Sequence, residues 1–329
     1  MVFQSNWVTI KELTIFYMSM PPELQKEMER QHRIEARGGL TPESIKSVAD
    51  MTLQHIKHFY GRTGNTDSKQ FNTIMAGDVA GALESRMSQE QVAEITSKFT
   101  AAQLKLFEKT IGVSRQMYRE MLGLNGEKGN GESFWQVNNK NLPSANYPTS
   151  LIGPNNEQVR VQFKEYITFV PANDEPNELL SEAIQFYDAL LRAHTKVQEL
   201  AKSLNVDIKM KFADDLSVLL GNTDSVVLYV PSSEVGKQVQ AIIKAEMEKQ
   251  GVKLGSRKGR SASGFDMIID GKEISHRQLT GKAISKVMTE DYSGGRKLAN
   301  YDSKKLAESI IERSEQAGRL TPEQMLRAI

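Results

Sequence analysis

The chain has 329 residues, 39% of them hydrophobic and 25% charged, which is the composition of a folded protein and excludes a disordered one. Its length is enough for about two domains of ordinary size. A formal net charge of +1 gives no overall attraction to nucleic acid or to an anionic membrane, so either would require a local patch. The chain contains no cysteine, which excludes disulfides, thiolate metal sites and a cysteine nucleophile.

No segment of the sequence predicts a membrane span or a cleavable leader. Residues 1–20 are interrupted by Lys11 and Glu12 and lack a charged start followed by a clean apolar run. No stretch approaches the roughly 18 consecutive apolar residues of a membrane span. We therefore expect a protein made in the cytoplasm, whose export, if any, uses a route without a cleavable signal.

Residues 1–124 form the first predicted unit, a helical region. Apolar residues recur there at near-helical spacing. Thr41, followed by proline and glutamate, offers the N-cap oxygen, the preset φ and the carboxylate of a helix start. His55 and His58 lie close together, but without a third ligand nearby they indicate packing or surface positions rather than a metal site.

Residues 125–154 form the second predicted unit, a junction. The segment is rich in glycine, asparagine and proline, and it is longer than a compact connection needs. We expect part of it to be mobile, or else to wrap the neighbouring domain through Phe134, Trp135 and Tyr147.

Residues 155–329 form the third predicted unit, an α+β domain. The apolar periodicity predicts, in chain order, a strand over 160–169, a helix over 177–203, strands over 206–212 and 225–230, a helix over 233–250 and a strand over 265–269. This order predicts a mainly antiparallel sheet with helices packed on one face. Residues 302–329 predict two short helices, to which no function is assigned.

The polar sides of three of these strands predict a cationic surface. If the apolar side chains face the helices, the alternating polar ones project together from the other side. They include Arg160, Lys164, Tyr166, Lys209, Lys211 and Tyr229, with a carboxylate only at Asp207. Like charges on adjacent strands are unfavourable unless an anion offsets them, so the surface is either an anion site or an ordinary solvated face.

Residues 253–277 carry a further excess of positive charge. The glycine- and serine-rich stretch at 255–264 contains Arg257 and Arg260, and the backbone N–H and guanidinium groups of such a loop can surround a phosphate. The alternative is a solvated linker. No aromatic residue interleaves with the cations of this stretch, so it does not favour nucleic-acid binding.

Sequence motifs for nucleotides, metals and serine nucleophiles are missing. The chain has no P-loop, no dinucleotide-binding glycine motif, no His-Glu-x-x-His and no nucleophile elbow. We therefore expect no metal and no cofactor.

Two short motifs carry a resemblance to a known family. The first is Asp-Ile-Lys-Met-Lys-Phe-Ala-Asp-Asp-Leu at 207–216, and the second is Asp-Ser-Val-Val-Leu-Tyr-Val at 224–230. A strand ending in lysine, an Asp-Asp turn and a strand of the second type resemble the core of the HopA family of type III secretion effectors. With the preceding strand and long helix, residues 159–264 are also similar, more distantly, to bacterial phosphothreonine lyases.

The resemblance implies roles for individual residues. Lys211 lies where the lyases have the lysine that removes the α-proton, and Tyr166 lies where they have the histidine that protonates the leaving phosphate. The phenol departs from the family pattern and is a weaker acid than imidazole. The implied phosphate-binding residues are Lys164, Lys209, Tyr229, Arg257 and Arg260.

Two hypotheses follow from this resemblance. In the first, the protein is a bacterial effector, exported without a signal into a host cell, that binds a phosphorylated host protein and eliminates its phosphate. Its N-terminal helices would bind a secretion chaperone before export. In the second, it is a non-catalytic adaptor that docks an acidic or phosphorylated partner. Catalysis requires Lys211 to be recessed beside a second cation and a proton donor, whereas an adaptor surface can be shallow.

Overall fold

The computed structural model of the chain describes residues 21–24, 26, 42, 45–63, 68–83, 87, 89–122, 124–128, 134–173, 175–222, 224–252, 254, 263–293 and 302–329. Its helices are α1 (Lys46–Thr63), α2 (Ser68–Ala82), α3 (Gln89–Ser97), α4 (Ala101–Leu122), α5 (Pro176–Ser203), α6 (Leu216–Gly221), α7 (Ser233–Lys249), α8 (His276–Ser293), α9 (Ser303–Ala317) and α10 (Pro322–Ala328). Within these ranges, no helix has the length and apolar character needed to cross a membrane.

The strands alternate with the later helices along the chain and form one antiparallel sheet. Its strands are β1 (Asn125–Lys128), β2 (Phe134–Asn138), β3 (Thr149–Ile152), β4 (Gln158–Ile167), β5 (Lys209–Ala213), β6 (Val226–Val230), β7 (Ser263–Ile269) and β8 (Lys272–Ile274). The order across the sheet is β1-β2-β5-β6-β4-β7-β8, and β3 pairs with the first half of β4.

The middle of the sheet has the topology that the sequence pattern predicts. The chain runs β4-α5-β5-β6-α7-β7, and β6 lies between β4 and β5 in the sheet. This is the split βαβ arrangement, in which both crossover helices pack on the same face. The predicted α+β class, with a helical N-terminal region and a mainly antiparallel sheet, is confirmed.

Strand register decides which side chains share a face. Lys164 is opposite Tyr229, which is opposite Lys209, and in the next row Tyr166 and Lys211 are both opposite Val227. Directly paired residues of neighbouring strands project to the same side of a sheet, and so do residues two apart along a strand. The predicted common face of Arg160, Lys164, Tyr166, Lys209, Lys211 and Tyr229 is confirmed.

The other face is the main hydrophobic core. Met210 and Leu228 are buried there against the long helices α5 and α7. Tyr187 of α5 donates its hydroxyl hydrogen to the carbonyl oxygen of Ala213, and its ring meets the edge of Phe107 of α4 at a centroid distance of 6.0 Å. The apolar face of α4 is therefore part of the same core as the sheet.

A second core joins the earliest and latest helices. Met75 and Val79 of α2 are buried with Ile284 of α8 and Leu306 of α9. The expected boundary at residue 124 is therefore not where the packing changes, because helices on its N-terminal side share two cores with later elements.

Residues 125–154 also differ from a simple junction. They contain β1, β2 and β3, and β2 pairs with β5 in the sheet. The loop after β2 is fastened to the domain: the Asn139 N–H donates to Asp207 Oδ1 at 2.9 Å, and the Asp207 N–H donates to the Pro143 carbonyl at 2.9 Å. Of the two expectations for this segment, the observed arrangement is the one that wraps the sheet.

Candidate functional site

The candidate site is the polar face of the sheet, which we define as Arg160, Lys164, Tyr166, Lys209, Lys211 and Tyr229. Its centre is Lys164, whose ammonium forms an ion pair with Asp266 Oδ2 and stands 4.8 Å from the centroid of the Tyr229 ring. Both members of the pair are largely withdrawn from water, with 12% and 3% of their side chains exposed. Burial raises the pKa of Tyr229, so its phenol stays protonated near neutral pH.

Asp266 is a carboxylate on this face that the sequence pattern did not place there. Its partner in the register is Gln162 of β4, which has the same parity as Lys164. The expectation that Asp207 is the only carboxylate concerned β4, β5 and β6, and β7 adds Asp266 to the same face. Asp207 is buried and accepts the Asn139 N–H, and burial raises its pKa, so it serves the wrapping loop.

Lys211 is half-buried in the same row as Tyr166, two strands away, which places their Cα atoms about 10 Å apart. Burial lowers the pKa of its ammonium, and the charges of Lys164 and Arg277 lower it further, while Asp224 opposes them. Arg277 Nη1 is itself 3.5 Å from Asp224 Oδ2. The amine is thus recessed next to other cations, which was the condition set for a catalytic lysine.

Tyr166 has a histidine beside it. The rings of Tyr166 and His276 have centroids 6.4 Å apart, and His276 is buried. Gly264 makes room for them, because a Cβ there would lie 2.7 Å from Tyr166 Cε2 and 2.8 Å from His276 Cδ2. A buried histidine thus lies beside Tyr166, the residue to which the resemblance gives the role of proton donor.

The start of α8 explains the position of His276. The Ser275 N–H donates to Gln278 Oε1 at 2.9 Å, and the Gln278 N–H donates back to Ser275 Oγ at 3.4 Å, which is a capping box. The His276 N–H is turned toward β7 and donates to Asp266 Oδ1 at 3.0 Å. Sequence reasoning did not single out His276, and the capping pair Ser275 and Gln278 was the available signal for a helix start there.

The far end of the polar face is covered by residues 144–148, which we call the strap. Lys209 Nζ donates to Asn146 Oδ1 at 2.5 Å, and the Arg160 guanidinium lies 5.8 Å from the centroid of the Tyr147 ring. The Tyr147 N–H donates to Gln162 Oε1 at 2.8 Å. Burial, together with a hydrogen bond to Glu273, raises the pKa of Tyr147. Lys209 and Arg160 thus contact the strap, although Arg160 remains exposed.

Part of the resemblance motif has a purely structural role here. Asp215 caps α6 by accepting the Ser217 N–H at 2.8 Å. The buried Ser225 hydroxyl accepts the Phe169 N–H at 3.0 Å and donates to the Leu219 carbonyl at 3.2 Å. These two residues fix the turns around β5 and β6. Lys211 and Tyr229 therefore remain the residues of the motif that could act on a ligand.

Arg257 and Arg260 lie outside the described residues, so their predicted phosphate contacts stay a prediction. The chain re-enters the described part at Ser263, whose hydroxyl donates to Glu165 Oε2 at 2.7 Å. The same buried carboxylate oxygen accepts from Gln240 Nε2 at 2.9 Å. Glu165 therefore anchors the first residue of β7 to α7.

Among the described residues, no cluster of three or more histidine or acidic side chains is placed to hold a metal ion. Comparison with protein-family models, with curated proteins and with solved structures finds no match to the chain. The functional argument therefore depends on the chemistry of the polar face.

Proposed function

We propose that the protein is an exported bacterial effector that binds a phosphorylated host protein on the polar face and eliminates its phosphate. The observation that supports this most is the half-buried Lys211 amine, in the row of Tyr166 and next to Lys164 and Arg277. Withdrawing an ammonium from water among other cations is costly. Asp224 and Asp266 offset part of that cost, and a bound phosphate dianion would offset more of it.

The elimination uses the polar face as follows. The neutral Lys211 amine takes the proton from Cα of a phosphothreonine, and the freed electron pair forms a Cα=Cβ double bond. The Cβ–O bond breaks and the phosphate leaves, protonated by the Tyr166 and His276 pair. The products are a dehydrobutyrine residue and inorganic phosphate, and no water is consumed. The lowered pKa of Lys211 increases the neutral fraction near neutral pH.

A non-catalytic adaptor is the second candidate, and one observation favours it. Lys164 is already paired with Asp266, and Arg277 lies near Asp224, so much of the local positive charge is compensated before any ligand arrives. A phosphate would then have to share these cations with carboxylates, which suits reversible docking.

Mass spectrometry of phosphothreonine peptides incubated with the protein separates the candidates. Elimination removes the elements of phosphoric acid, whereas a phosphatase removes phosphate and leaves the hydroxyl. Binding of the phosphopeptide in preference to its unphosphorylated form, without any mass change, would support the adaptor and contradict the enzyme. If the protein neither changes the mass of the peptide nor prefers its phosphorylated form, both candidates are contradicted.

The proposed chaperone partner must act before the chain folds. In the folded protein Met75 of α2 and Phe107 of α4 are fully buried against α8, α9 and α5. A chaperone that holds the apolar faces of these helices therefore competes with folding, which suits a chain that is kept unfolded for export.

A further inference from the structure

A groove with a volume of about 1020 Å³ lies between α2 and the start of α8, next to the polar face. One wall is α2, which contributes Asn72, Ala76, Gly77, Ala80 and Gly81. The opposite wall is formed by β8 and α8, and its cations are Lys272, Arg277, Lys282 and Lys286. The groove therefore joins a neutral wall of small residues to a basic wall.

Among the described residues, no ion pair compensates the three lysines of the basic wall, whereas Arg277 lies near Asp224. No ion pair within the described parts of the chain involves Lys272, Lys282 or Lys286. Glu273 is the carboxylate that lines the groove, and it is engaged by a hydrogen bond with Tyr147. An anionic ligand in the groove would therefore meet three lysines without having to displace a protein carboxylate.

The α2 wall has free space beside two glycines, and the packing of the fold does not explain why glycine is present at either position. A Cβ on Gly77 or Gly81 would meet nothing within 4 Å. By contrast, a Cβ on Gly281 of α8 would lie 2.5 Å from the Ala76 carbonyl oxygen, so that glycine permits the close crossing of the two helices. Packing thus accounts for Gly281, whereas Gly77 and Gly81 lower helix stability relative to alanine and leave the groove clear.

From this groove we infer a docking site for an acidic peptide segment of a partner protein, bound in an extended conformation. From Asn72 to Gly81 the α2 wall extends about 14 Å, and an extended chain of about four residues covers that length. Aspartate and glutamate side chains on one edge of such a segment would face the lysines of α8, while its backbone lies against Gly77 and Gly81. The inference goes beyond the proposed function, because it requires no chemistry at Lys211.

The lining residues favour a peptide over other polyanions. None of the described residues that line the groove is aromatic, so they offer no ring on which a nucleic-acid base could stack. Its lysines line a concave surface between two helices, which a flat anionic bilayer cannot enter. Arg277 lies at the end nearest the polar face and contributes to both sites, so a bound peptide could continue from the groove toward Lys211.

Fluorescence anisotropy with a labelled peptide tests the inference. The probe is a twelve-residue peptide in which glutamate and aspartate alternate with alanine, and the comparison peptide carries glutamine and asparagine instead. We expect the acidic probe to bind, the neutral one to bind at least tenfold more weakly, and binding to weaken as salt is raised. Equal binding of the two peptides, or none of either, would overturn the inference.

Matched variants locate the binding. Lys282→Glu with Lys286→Glu should weaken binding of the acidic probe at least tenfold, whereas Lys304→Glu with Lys305→Glu makes the same charge change on exposed positions of α9 and should leave it unchanged. Gly77→Leu should weaken it as well, at an unchanged or higher midpoint of thermal unfolding.

Two further measurements separate this site from the alternatives. The acidic probe carries no phosphothreonine, so its binding is measured without any elimination, and failure of the proposed function and failure of this inference are distinguishable. Unchanged binding in the Lys282→Glu, Lys286→Glu variant would overturn the assignment to the groove. A single-stranded oligonucleotide that displaces the probe at lower concentration than unlabelled acidic peptide would overturn the choice of a peptide.

Discussion

Lys164 and Asp266 form an ion pair in the middle of the polar face, on adjacent strands β4 and β7. The sequence indicates Lys164 as an uncompensated phosphate ligand, but in the folded chain its ammonium already has a carboxylate partner. Any phosphate that binds there must either share Lys164 with Asp266 or draw it away. The negative charge of Asp266 is therefore expected to limit the affinity of the site.

Asp266→Asn should tighten phosphopeptide binding several-fold, because it removes a negative charge next to the bound phosphate while Oδ1 can still accept the His276 N–H. Isothermal titration with a phosphothreonine peptide measures the change. Asp270→Asn is the matched control: it makes the same charge change at a turn residue with φ of 51°, a conformation that asparagine tolerates, and should have no effect. Weaker binding in Asp266→Asn would show that the carboxylate contributes to the ligand site.

Lys211→Met should abolish elimination with the fold intact. Loss of the base should lower the rate by ~10² to 10⁴. Methionine keeps most of the side-chain volume, so the free energy of unfolding should change by about 1 kcal/mol or less. Peptide mass spectrometry and urea unfolding measure the two effects, and Lys202→Met, at an exposed position of α5, is the control that should retain activity. Full activity in Lys211→Met would rule out the proposed base.

Two residues of opposite charge near Lys211 should shift the pH dependence of the elimination rate in opposite directions. The Asp224 carboxylate raises the pKa of Lys211 and the Arg277 guanidinium lowers it. Asp224→Asn should therefore lower that pKa and shift the rise of the rate with pH to lower pH, whereas Arg277→Gln should shift it to higher pH. The pH profiles of kcat/KM for the two variants check the signs. Shifts in the same direction would contradict Lys211 as the titrating group.

Phe107→Ala should destabilise the whole protein rather than one part of it. Phe107 is fully buried in the core that α4 shares with the sheet, so its removal should cost about 3–5 kcal/mol. Unfolding followed by circular dichroism and by tyrosine fluorescence should shift together. Separate transitions for the two probes would instead support the domain boundary that the sequence predicts near residue 124.

The buried His194 should make the free energy of unfolding depend on pH. Burial lowers its pKa from 6.5 to about 4. Between these two pH values the unfolded chain therefore binds more protons than the folded one. Stability should therefore fall as pH decreases, by about 2 kcal/mol between pH 7 and 5 from this residue alone. Urea unfolding of wild type and His194→Gln at both pH values isolates the contribution, which should vanish in the variant.

The central strands were predictable because each has one buried face. Alternating apolar residues in β4, β5 and β6 set the period and also the parity that brings Lys164 and Lys211 to one side. Strands β1 and β8 lack this signal, since they are short and polar. The turn residues of 125–154 predicted turns correctly, but turns between paired strands and turns between domains have the same composition.

The composition of the site was only partly predictable. Asp266 and His276 reach the polar face through the pairing of β4 with β7 and through the start of α8. The capping pair of α8 marks a helix start in the sequence, but neither the strand pairing nor the contact of His276 with Tyr166 leaves a local pattern. Gly264 shows the same limit, because the need for a residue without a Cβ arises only when the rings of Tyr166 and His276 meet.

The pairing of β4 on both sides also constrains how the chain can reach its native state. Its two neighbours, β6 and β7, come much later in the sequence, and Arg160 is paired with Ile268. Contacts between such distant residues form slowly, because a long loop must close before they stabilise anything. During synthesis the edge of β4 that pairs with β7 therefore stays open until β7 has left the ribosome, and α2 can pack against α8 only after α8 has been made. The sheet is completed late, and a chain interrupted before residue 269 cannot form it.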